Sequence, residues 1–186
     1  MIKRNANNLL QFINKLLEFR KSEEGLSKLH LNEYNLTKHL SKWLATYKPL
    51  LQKKNIDLTV TMPQNAIKFY CDLEKLHIII NNLISNAIKY TDKGGQIAVS
   101  FTQDHTSIYL SISDSGSGII ADDLNHIFEW YYQSNTSIKK DGTGIGLALS
   151  KRFAELHNGN LNVFNNPDIG STFILTLPKD DRLIDA

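Results

Sequence analysis

The chain has 186 residues, 41% of them hydrophobic and 22% charged, which suits one substantial soluble, cytoplasmic domain with an appendage. Its formal net charge of +2 is too small to indicate nucleic acid or a membrane surface as a partner. A single cysteine, Cys71, excludes an internal disulfide, no apolar run approaches the ~20 residues that span a bilayer, and the start lacks a signal-peptide core.

Residues 1–26 have the periodicity of one amphipathic helix. Their apolar side chains recur at steps of three and four residues, beginning with Ile2, Ala6 and Leu9, and Gly25 marks the predicted end. At 1.5 Å per residue this helix would be ~39 Å long, which exceeds most helices within a small domain. The pattern predicts packing against another helix, and packing onto the same domain is the alternative.

The next segments alternate between extended and helical patterns. Residues 27–36 are typical of a linker or an edge strand. A second helix is predicted over 36–54, with an irregularity at Pro49. Strands are predicted over 56–61 and, more briefly, over 66–71.

The C-terminal two thirds of the chain predict a mixed layer structure. A helix capped by Asp72 is expected over 72–90. The other predicted elements are a hairpin of strands 96–103 and 107–113, a helix over 144–158, and strands 160–164 and 171–177 around the turn 165–168. This order predicts a helical arm followed by an α+β domain.

The 72–90 helix carries a polar stripe beside its apolar face. Asn82, Asn86 and Lys89 fall within an arc of ~60°. The Asn86 carbonyl oxygen suits Mg²⁺, which prefers oxygen ligands together with substrate phosphates and water. Lys89 can meet a phosphate as a point charge. Taken alone, the stripe also suits a solvated helix face.

Asp114 follows an apolar strand and precedes Gly116 and Gly118. A carboxylate at the buried end of a strand can accept a hydrogen bond from the exocyclic amine of adenine, and a bond with a charged group contributes ~1.5–3 kcal/mol. The glycines permit positive φ and leave room for a base and sugar. The alternative is a simple Asp-Gly type of turn.

A third motif, Asp141-Gly142-Thr143-Gly144-Ile145-Gly146-Leu147, opens a predicted helix. Backbone N–H groups at a helix N-terminus favour phosphate. The motif lacks the Gly-Lys-Ser/Thr ending of a Walker sequence and the strand context of a dinucleotide fingerprint. The alternative is a glycine-rich turn that only begins a helix.

An aromatic segment, 127–133, precedes the polar stretch 134–141. Aromatic anchors before a polar loop suit a lid that closes over a nucleotide. Lys139 and Lys140 lie where such a lid would reach the phosphates. A satellite core with a surface loop is the alternative.

In order and spacing, these motifs resemble the catalytic ATP-binding domain of two-component sensor histidine kinases. The resemblance covers residues 36–178 and includes the Asn-box (Asn82, Asn86, Lys89, Tyr90), the Asp-x-Gly-x-Gly box, the Phe-box from Phe128 to Tyr131, the second glycine box and the closing Gly170-Ser171-Thr172-Phe173. It implies the Bergerat fold, a two-layer α/β sandwich with a mostly antiparallel sheet. The same superfamily includes gyrases, mismatch-repair ATPases and a heat-shock chaperone.

The resemblance also implies ATP and Mg²⁺ as ligands. By analogy, Asn86 holds the metal, Asp114 binds the adenine amine and Tyr90 packs near adenine. The implied catalytic residues are Asn82, Asn86 and Lys89, and the implied nucleotide-binding residues are Asn86, Lys89, Tyr90, Asp114, Gly116, Gly118, Ile119, Lys140, Gly142, Thr143, Gly144, Ile145, Gly146 and Leu147.

Residues 1–28 resemble the second helix of the dimerisation and phosphoacceptor domain, with 29–35 as linker and 179–186 as a tail. In that family the accepting histidine lies on the preceding helix, and none of the six histidines here is followed by Glu or Asp. The resemblance therefore predicts a piece of a larger, membrane-anchored kinase that forms a homodimer. Its implied partners are the acceptor helix of the same kinase and a response regulator or receiver domain, as in a hybrid kinase.

Two positions depart from relatives. Gln133 stands where relatives often have an arginine, and Lys139 or Lys140 is the predicted substitute. Asn82 occupies the place where ATP-hydrolysing relatives have a water-activating glutamate, so slow hydrolysis and phosphoryl transfer are expected. A degenerate binding module without kinase activity is the main alternative, and a serine kinase or ATPase is disfavoured by Asn82.

Overall fold

The computed structural model describes Arg20, residues 28–133 and residues 143–179. The predicted N-terminal helix, apart from Arg20, lies outside the described residues, as do the predicted lid with Lys139 and Lys140, Gly142 of the second glycine box, and the tail after Lys179. Within the described part of the chain, no helix is both long enough and apolar enough to cross a bilayer.

Helices and strands follow the predicted order closely. The strands are β1 Asn32–Asn35, β2 Asp57–Thr61, β3 Lys68–Cys71, β4 Gln96–Gln103, β5 Ser107–Asp114, β6 Asn160–Asn165 and β7 Ser171–Pro178. The helices are α1 Leu36–Ala45, α2 Lys48–Lys54, α3 Leu73–Tyr90 and α4 Gly146–Leu156, with a 3₁₀ helix at Ala121–Asn125.

In the part of the chain that the structure describes, five strands form the main sheet, in the order β2-β4-β5-β7-β6. Only the β2–β4 pair is parallel, while β4–β5, β5–β7 and β6–β7 are antiparallel. A separate two-stranded sheet joins β1 to β3. The predicted α+β fold with a mostly antiparallel sheet is confirmed.

One face of the main sheet packs against the helices. Alternation along β4 buries Ile97, Val99 and Phe101, as period-two patterning requires. On α3 the buried stripe includes Ile79 and Leu83, both fully inaccessible to solvent. Burying this apolar surface is the main source of stability for the layered fold.

The single helix predicted over 36–54 is two helices. The chain turns at Thr46 and Tyr47, and Pro49 lies in the first turn of α2. Proline has no N–H to donate into a continuing helix, but the first turn of a new helix does not need that donor. The irregularity predicted at Pro49 is thus confirmed, and its position explains the break.

Asp72 caps α3 as predicted, since its Oδ1 accepts a hydrogen bond from the Lys75 backbone N–H at 3.1 Å. Its Oδ2 accepts from Lys75 Nζ at 2.9 Å and from the His30 backbone N–H at 3.1 Å. Burial by itself raises the pKa of Asp72, but the hydrogen bonds from Lys75 and His30 outweigh it and lower the pKa. This carboxylate therefore ties the linker to the start of α3.

His157, at the C-terminus of α4, contacts the residue that caps the N-terminus of α3. Its Nε2 accepts from the Asp72 backbone N–H at 3.1 Å, so its Nδ1 carries the proton and donates to the Phe153 carbonyl at 2.7 Å. The ring is fully buried, and this burial lowers the pKa of His157. The folded state therefore requires a neutral imidazole.

We expect His157 to make stability depend on pH. The unfolded chain takes up a proton at this residue as the pH falls through 6.5, the ordinary value, whereas the folded chain does so only at lower pH. The free energy of unfolding should therefore decrease below about pH 6.5, by up to about 1.4 kcal/mol per pH unit, until the folded pKa is reached. Urea denaturation at about pH 7.5 and about pH 5.5 measures this slope.

Two variants isolate the His157 contribution. His157→Gln should lose that part of the slope, while His105→Gln, at an exposed turn between β4 and β5, should keep it. Burial also lowers the pKa of His77, but His77 remains in all three proteins and cancels in the comparison. A His157→Gln slope equal to that of the wild type would contradict the neutral ring.

Candidate functional site

The three motifs meet at the C-terminal half of α3. A methyl group added at Gly116 would lie 2.6 Å from the Tyr90 carbonyl oxygen, so the Asp-x-Gly loop lies against the end of this helix. One added at Gly146 would lie 3.4 Å from the Asn82 side chain, so the start of α4 faces α3 one turn before Asn86. The fold therefore brings together the Asn-box, the Asp-box and the part of the second glycine box that the structure describes.

Asp114 is the last residue of β5 and only 6% exposed. Its Oδ1 accepts a hydrogen bond from the Gly116 backbone N–H at 2.8 Å, and its Oδ2 accepts from the Ser171 hydroxyl at 2.8 Å. An ionised carboxylate offers about four lone-pair sites, so accepting capacity remains after these two bonds. The carboxylate is thus held in one orientation and can still accept from a ligand donor.

The β6–β7 turn supports this loop with two asparagine side chains that the sequence patterns did not identify as functional. Asn166 Nδ2 donates to the Asp114 carbonyl at 3.0 Å. Asn165 accepts from the Ile119 N–H at 2.8 Å and donates to the Ile119 carbonyl at 2.6 Å. Gly118, between these contacts, has a φ of +70°. The Asn165-Asn166 pair indicated only a turn, because its partners lie about fifty positions earlier in the chain.

Ser171 was not among the candidate site residues predicted from the sequence, although its motif contributed to the family resemblance. Its hydroxyl is buried and donates directly to Asp114, across the neighbouring strands β5 and β7. The hydroxyl next to Gly170 was the only available signal. Residue spacing alone does not indicate which strand pairs with β5.

Asn82 and Asn86 have different surroundings despite their shared stripe. Asn82 is 4% exposed, and its Nδ2 donates to the Gly146 carbonyl and to Ser150 Oγ, each at 3.0 Å. Asn86 is half-buried, and its side chain makes no hydrogen bond with the residues that the structure describes. Asn82 therefore joins α3 to α4, while the Asn86 amide remains available to a ligand.

Lys89 and Tyr90 lie at the end of α3, beside the Asp-x-Gly loop. Lys89 Nζ donates to the Tyr90 hydroxyl at 3.0 Å and lies 4.7 Å from the centre of its ring. Tyr90 is 40% exposed. A large, partly exposed ring beside an ammonium group provides an aromatic surface and a cation at one edge of the site.

The described part of the second glycine box combines core and loop positions. Helix α4 begins at Gly146, two residues later than predicted. Gly144 has a φ of +68°, and its carbonyl accepts from the Tyr131 N–H at 3.0 Å. The other described residues of this box differ in exposure: Thr143 is exposed, Leu147 is half-buried, and Ile145 is a fully buried core residue.

The Phe-box packs beside β7 and α4. The Phe128 ring meets the Phe173 ring edge to face, with 6.5 Å between centroids, and Lys151 Nζ lies 5.5 Å from the centre of Phe128. Gln133 is exposed at the end of this segment. The predicted aromatic anchors are thus attached to the core, and the lid itself lies outside the described residues.

The donor set suits a metal ion that is held partly by its substrate. No group of three or more His, Cys, Asp or Glu in residues 28–133 and 143–179 could hold a metal. Mg²⁺ is commonly bound by one or two protein ligands together with phosphates and water. The Asn86 carbonyl oxygen, which has no hydrogen-bond partner among the described residues, fits that arrangement.

The chain is similar in sequence to known proteins. Residues 71–181 match the family described as "Histidine kinase-, DNA gyrase B-, and HSP90-like ATPase". The chain is 35% identical over 184 residues to Histidine kinase P4 of Formosa agariphila, covering 96% of this chain and 13% of that protein. It is 33% identical to Sensor protein GacS of Pseudomonas syringae pv. syringae, covering 96% of this chain and 21% of that protein.

Solved structures have the same fold. The catalytic domain of histidine kinase ThkA has a TM-score of 0.73 at 24% identity, covering 81% of this chain and 98% of that chain. The mycobacterial sensor histidine kinase MprB has a TM-score of 0.68 at 25% identity, covering 80% and 97%. The chain thus spans nearly all of these domains but a small part of the curated relatives. It belongs to the histidine kinase-, DNA gyrase B- and HSP90-like ATPase family, as a catalytic domain of the sensor histidine kinase type.

Proposed function

We propose that this domain binds Mg²⁺·ATP and transfers the γ-phosphate to a histidine on a dimerisation domain outside this chain. The arrangement at Asp114 carries the proposal, because a buried carboxylate oriented by Gly116 and Ser171 suits an amine on a planar base. Family membership implies the use of ATP. The nucleotide-binding set is the one named from the sequence, with Ser171 added.

Four residues of the set have a proposed task. Asp114 accepts a hydrogen bond from the adenine amine. Tyr90 packs near the base, and Lys89 approaches a phosphate from the end of α3. Asn86 would hold Mg²⁺, which neutralises charge on the phosphate oxygens. In this type of reaction, positioning and charge stabilisation account for most of the catalysis.

Asn82 favours transfer to a protein acceptor over hydrolysis. A general base must accept a proton from water, whereas the Asn82 amide is neutral and donates both its hydrogens, to Gly146 and to Ser150. We therefore propose that Asn82 contributes by holding α4 against α3. Residue 82 therefore provides no carboxylate that could activate a water molecule.

The proposed partners follow from the relatives. Hybrid signal transduction histidine kinase D of Dictyostelium discoideum is 31% identical to the chain, which covers 12% of that protein. One structural neighbour is histidine kinase ThkA in complex with response regulator TrrA. By analogy, the full-length protein would be a membrane-anchored homodimer whose cytoplasmic portion passes the phosphate from its acceptor helix to a response regulator or receiver domain.

A transfer assay tests the proposal. The chain is mixed with Mg²⁺, γ-radiolabelled ATP and a separately produced acceptor domain of the same kinase, and acid-labile label on that domain is expected. An acceptor domain without its histidine serves as the matched control and should remain unlabelled. Nucleotide binding without any label on the acceptor would overturn transfer and favour a degenerate binding module. Steady ATP turnover by the chain alone would favour an ATPase.

A further inference from the structure

Lys54, the last residue of α2, reaches the C-terminal end of α3. Its Nζ donates to the carbonyl oxygens of Ile88 at 2.5 Å, Thr91 at 3.1 Å and Lys89 at 3.5 Å. The last carbonyls of a helix lack intrahelical donors and carry the negative end of the helix dipole. An ammonium group at this place satisfies both the hydrogen bonding and the charge.

Backbone hydrogen bonds join the same two regions. Asn55 ends α2 in the left-handed conformation, with a φ of 53°, and its carbonyl accepts from the Gly94 N–H at 3.0 Å. The Asp57 N–H donates to the Gly95 carbonyl at 3.0 Å. The corner between α2 and β2 therefore holds the segment that follows α3 just beyond the Lys54 contact.

The held segment is a wall of the nucleotide site. The Lys89 and Tyr90 side chains project from it, and the Tyr90 carbonyl lies against Gly116 of the Asp-x-Gly loop. Thr91 is fully buried, and its N–H completes the last turn by donating to the Ala87 carbonyl at 2.9 Å. A shift of this turn would move the cation, the aromatic ring and the Asp-box loop together.

We propose that Lys54 is a positioning residue for the nucleotide site, which it serves by capping the C-terminus of the Asn-box helix. Without its ammonium group, three carbonyls of the last turn lose a charged donor and the turn frays into the site. The inference rests on the nucleotide binding proposed above. Lys54 lies outside the 71–181 segment that matches the family, so that segment alone does not contain all the determinants of the site.

Substitutions separate charge, donor and stability effects. Lys54→Met keeps much of the aliphatic stem and removes the donor, whereas Lys54→Arg keeps a charged donor. Lys53→Met removes the same charge from the exposed neighbouring position. Ile108→Val weakens the core at the opposite end of β5 from Asp114 and serves as the control for stability.

The readouts are calorimetric affinity for Mg²⁺ with the ATP analogue AMPPNP, the urea midpoint, and amide hydrogen exchange at residues 89–91. Lys54→Met is expected to weaken affinity about five-fold or more and to accelerate exchange at these amides, as loss of a charged helix cap requires. Lys54→Arg should recover part of the affinity. Lys53→Met and Ile108→Val should stay within about two-fold of the wild type, since Lys53 is exposed and Ile108 lies at the end of β5 that is remote from Asp114.

Each other outcome is decisive. Wild-type affinity in Lys54→Met overturns this inference and leaves the proposed function standing. The inference is also overturned if Ile108→Val has the same urea midpoint as Lys54→Met and loses as much affinity, because the loss of affinity would then follow from reduced stability alone. If Lys54→Met does not fold, Lys54→Arg is compared with a folded Lys54→Gln variant. The inference is overturned if Lys54→Arg does not bind nucleotide more tightly than Lys54→Gln. A wild-type chain that binds no nucleotide overturns both proposals.

Discussion

Asp114→Asn is expected to weaken nucleotide binding by about 1.5–3 kcal/mol, which is roughly ten- to 150-fold in the dissociation constant. Asparagine has nearly the same shape, but its single carbonyl oxygen cannot replace both carboxylate oxygens that accept from Gly116 and Ser171. An adenine amine would then meet a neutral acceptor or another donor. Titration calorimetry with Mg²⁺·ATP, alongside urea denaturation, measures the change.

Two companion variants show whether the loss belongs to the site. Ser171→Ala leaves the carboxylate charged but removes the hydroxyl that orients it, so an intermediate loss of affinity is expected. Asp57→Asn removes one negative charge from an exposed position on the edge strand β2 and should leave affinity unchanged. Equal losses in Asp114→Asn and Asp57→Asn would mean that net charge, and not the adenine contact, governs binding.

Gly170→Ala is expected to destabilise the fold by more than about 4 kcal/mol, an effect at the extreme of single substitutions. Gly170 has a φ of +90°, and a methyl group there would lie 1.8 Å from the Asp114 carbonyl oxygen. The position of the methyl group is fixed by the backbone of residue 170, and the oxygen it meets is a backbone atom, so no side-chain rotation relieves the clash. The strand that provides Ser171 would have to separate from Asp114, so the fold and the site are lost together.

Gly94→Ala is the matched control for this effect. Gly94 also has a positive φ, of +83°, but nothing lies within 4 Å of a methyl group placed there. It should cost only the backbone strain of an alanine in this region, about 1–2 kcal/mol. Urea denaturation followed by circular dichroism compares the two variants. Equal destabilisation would contradict the close approach of Gly170 to Asp114.

Local sequence signals were sufficient for most helices and strands. The helix predicted over 72–90 matches α3, because Asp72 provides a cap and the apolar residues recur with helical period. The hairpin of β4 and β5 and the strands β6 and β7 also match, since alternation and turn residues lie within each segment. The prediction of one long helix over 36–54 was wrong at Thr46 and Tyr47, where the chain turns and both Leu44 and Leu51 are buried.

Asn82 and Asn86 illustrate what sequence patterns could not resolve. Both lie on one polar stripe of α3 and are indistinguishable by residue type and spacing. Packing of α4 against α3 covers Asn82 and pairs it with Gly146 and Ser150, whereas Asn86, one turn later, is half-buried and makes no hydrogen bond with the described residues. Their different surroundings depend on where α4 begins and packs against α3, which is a tertiary property.

The sequence by itself determined most of the described secondary structure elements, the family and the three motifs, because these depend on residues that are close along the chain. Only the tertiary structure decided which groups orient the motifs. Ser171 and Asn166 reach Asp114 from β7 and the preceding turn, and Lys54 reaches the end of α3 from α2. Hydrogen bonds depend on distances of about 3 Å in space, and only strand pairing and helix packing bring such remote residues that close.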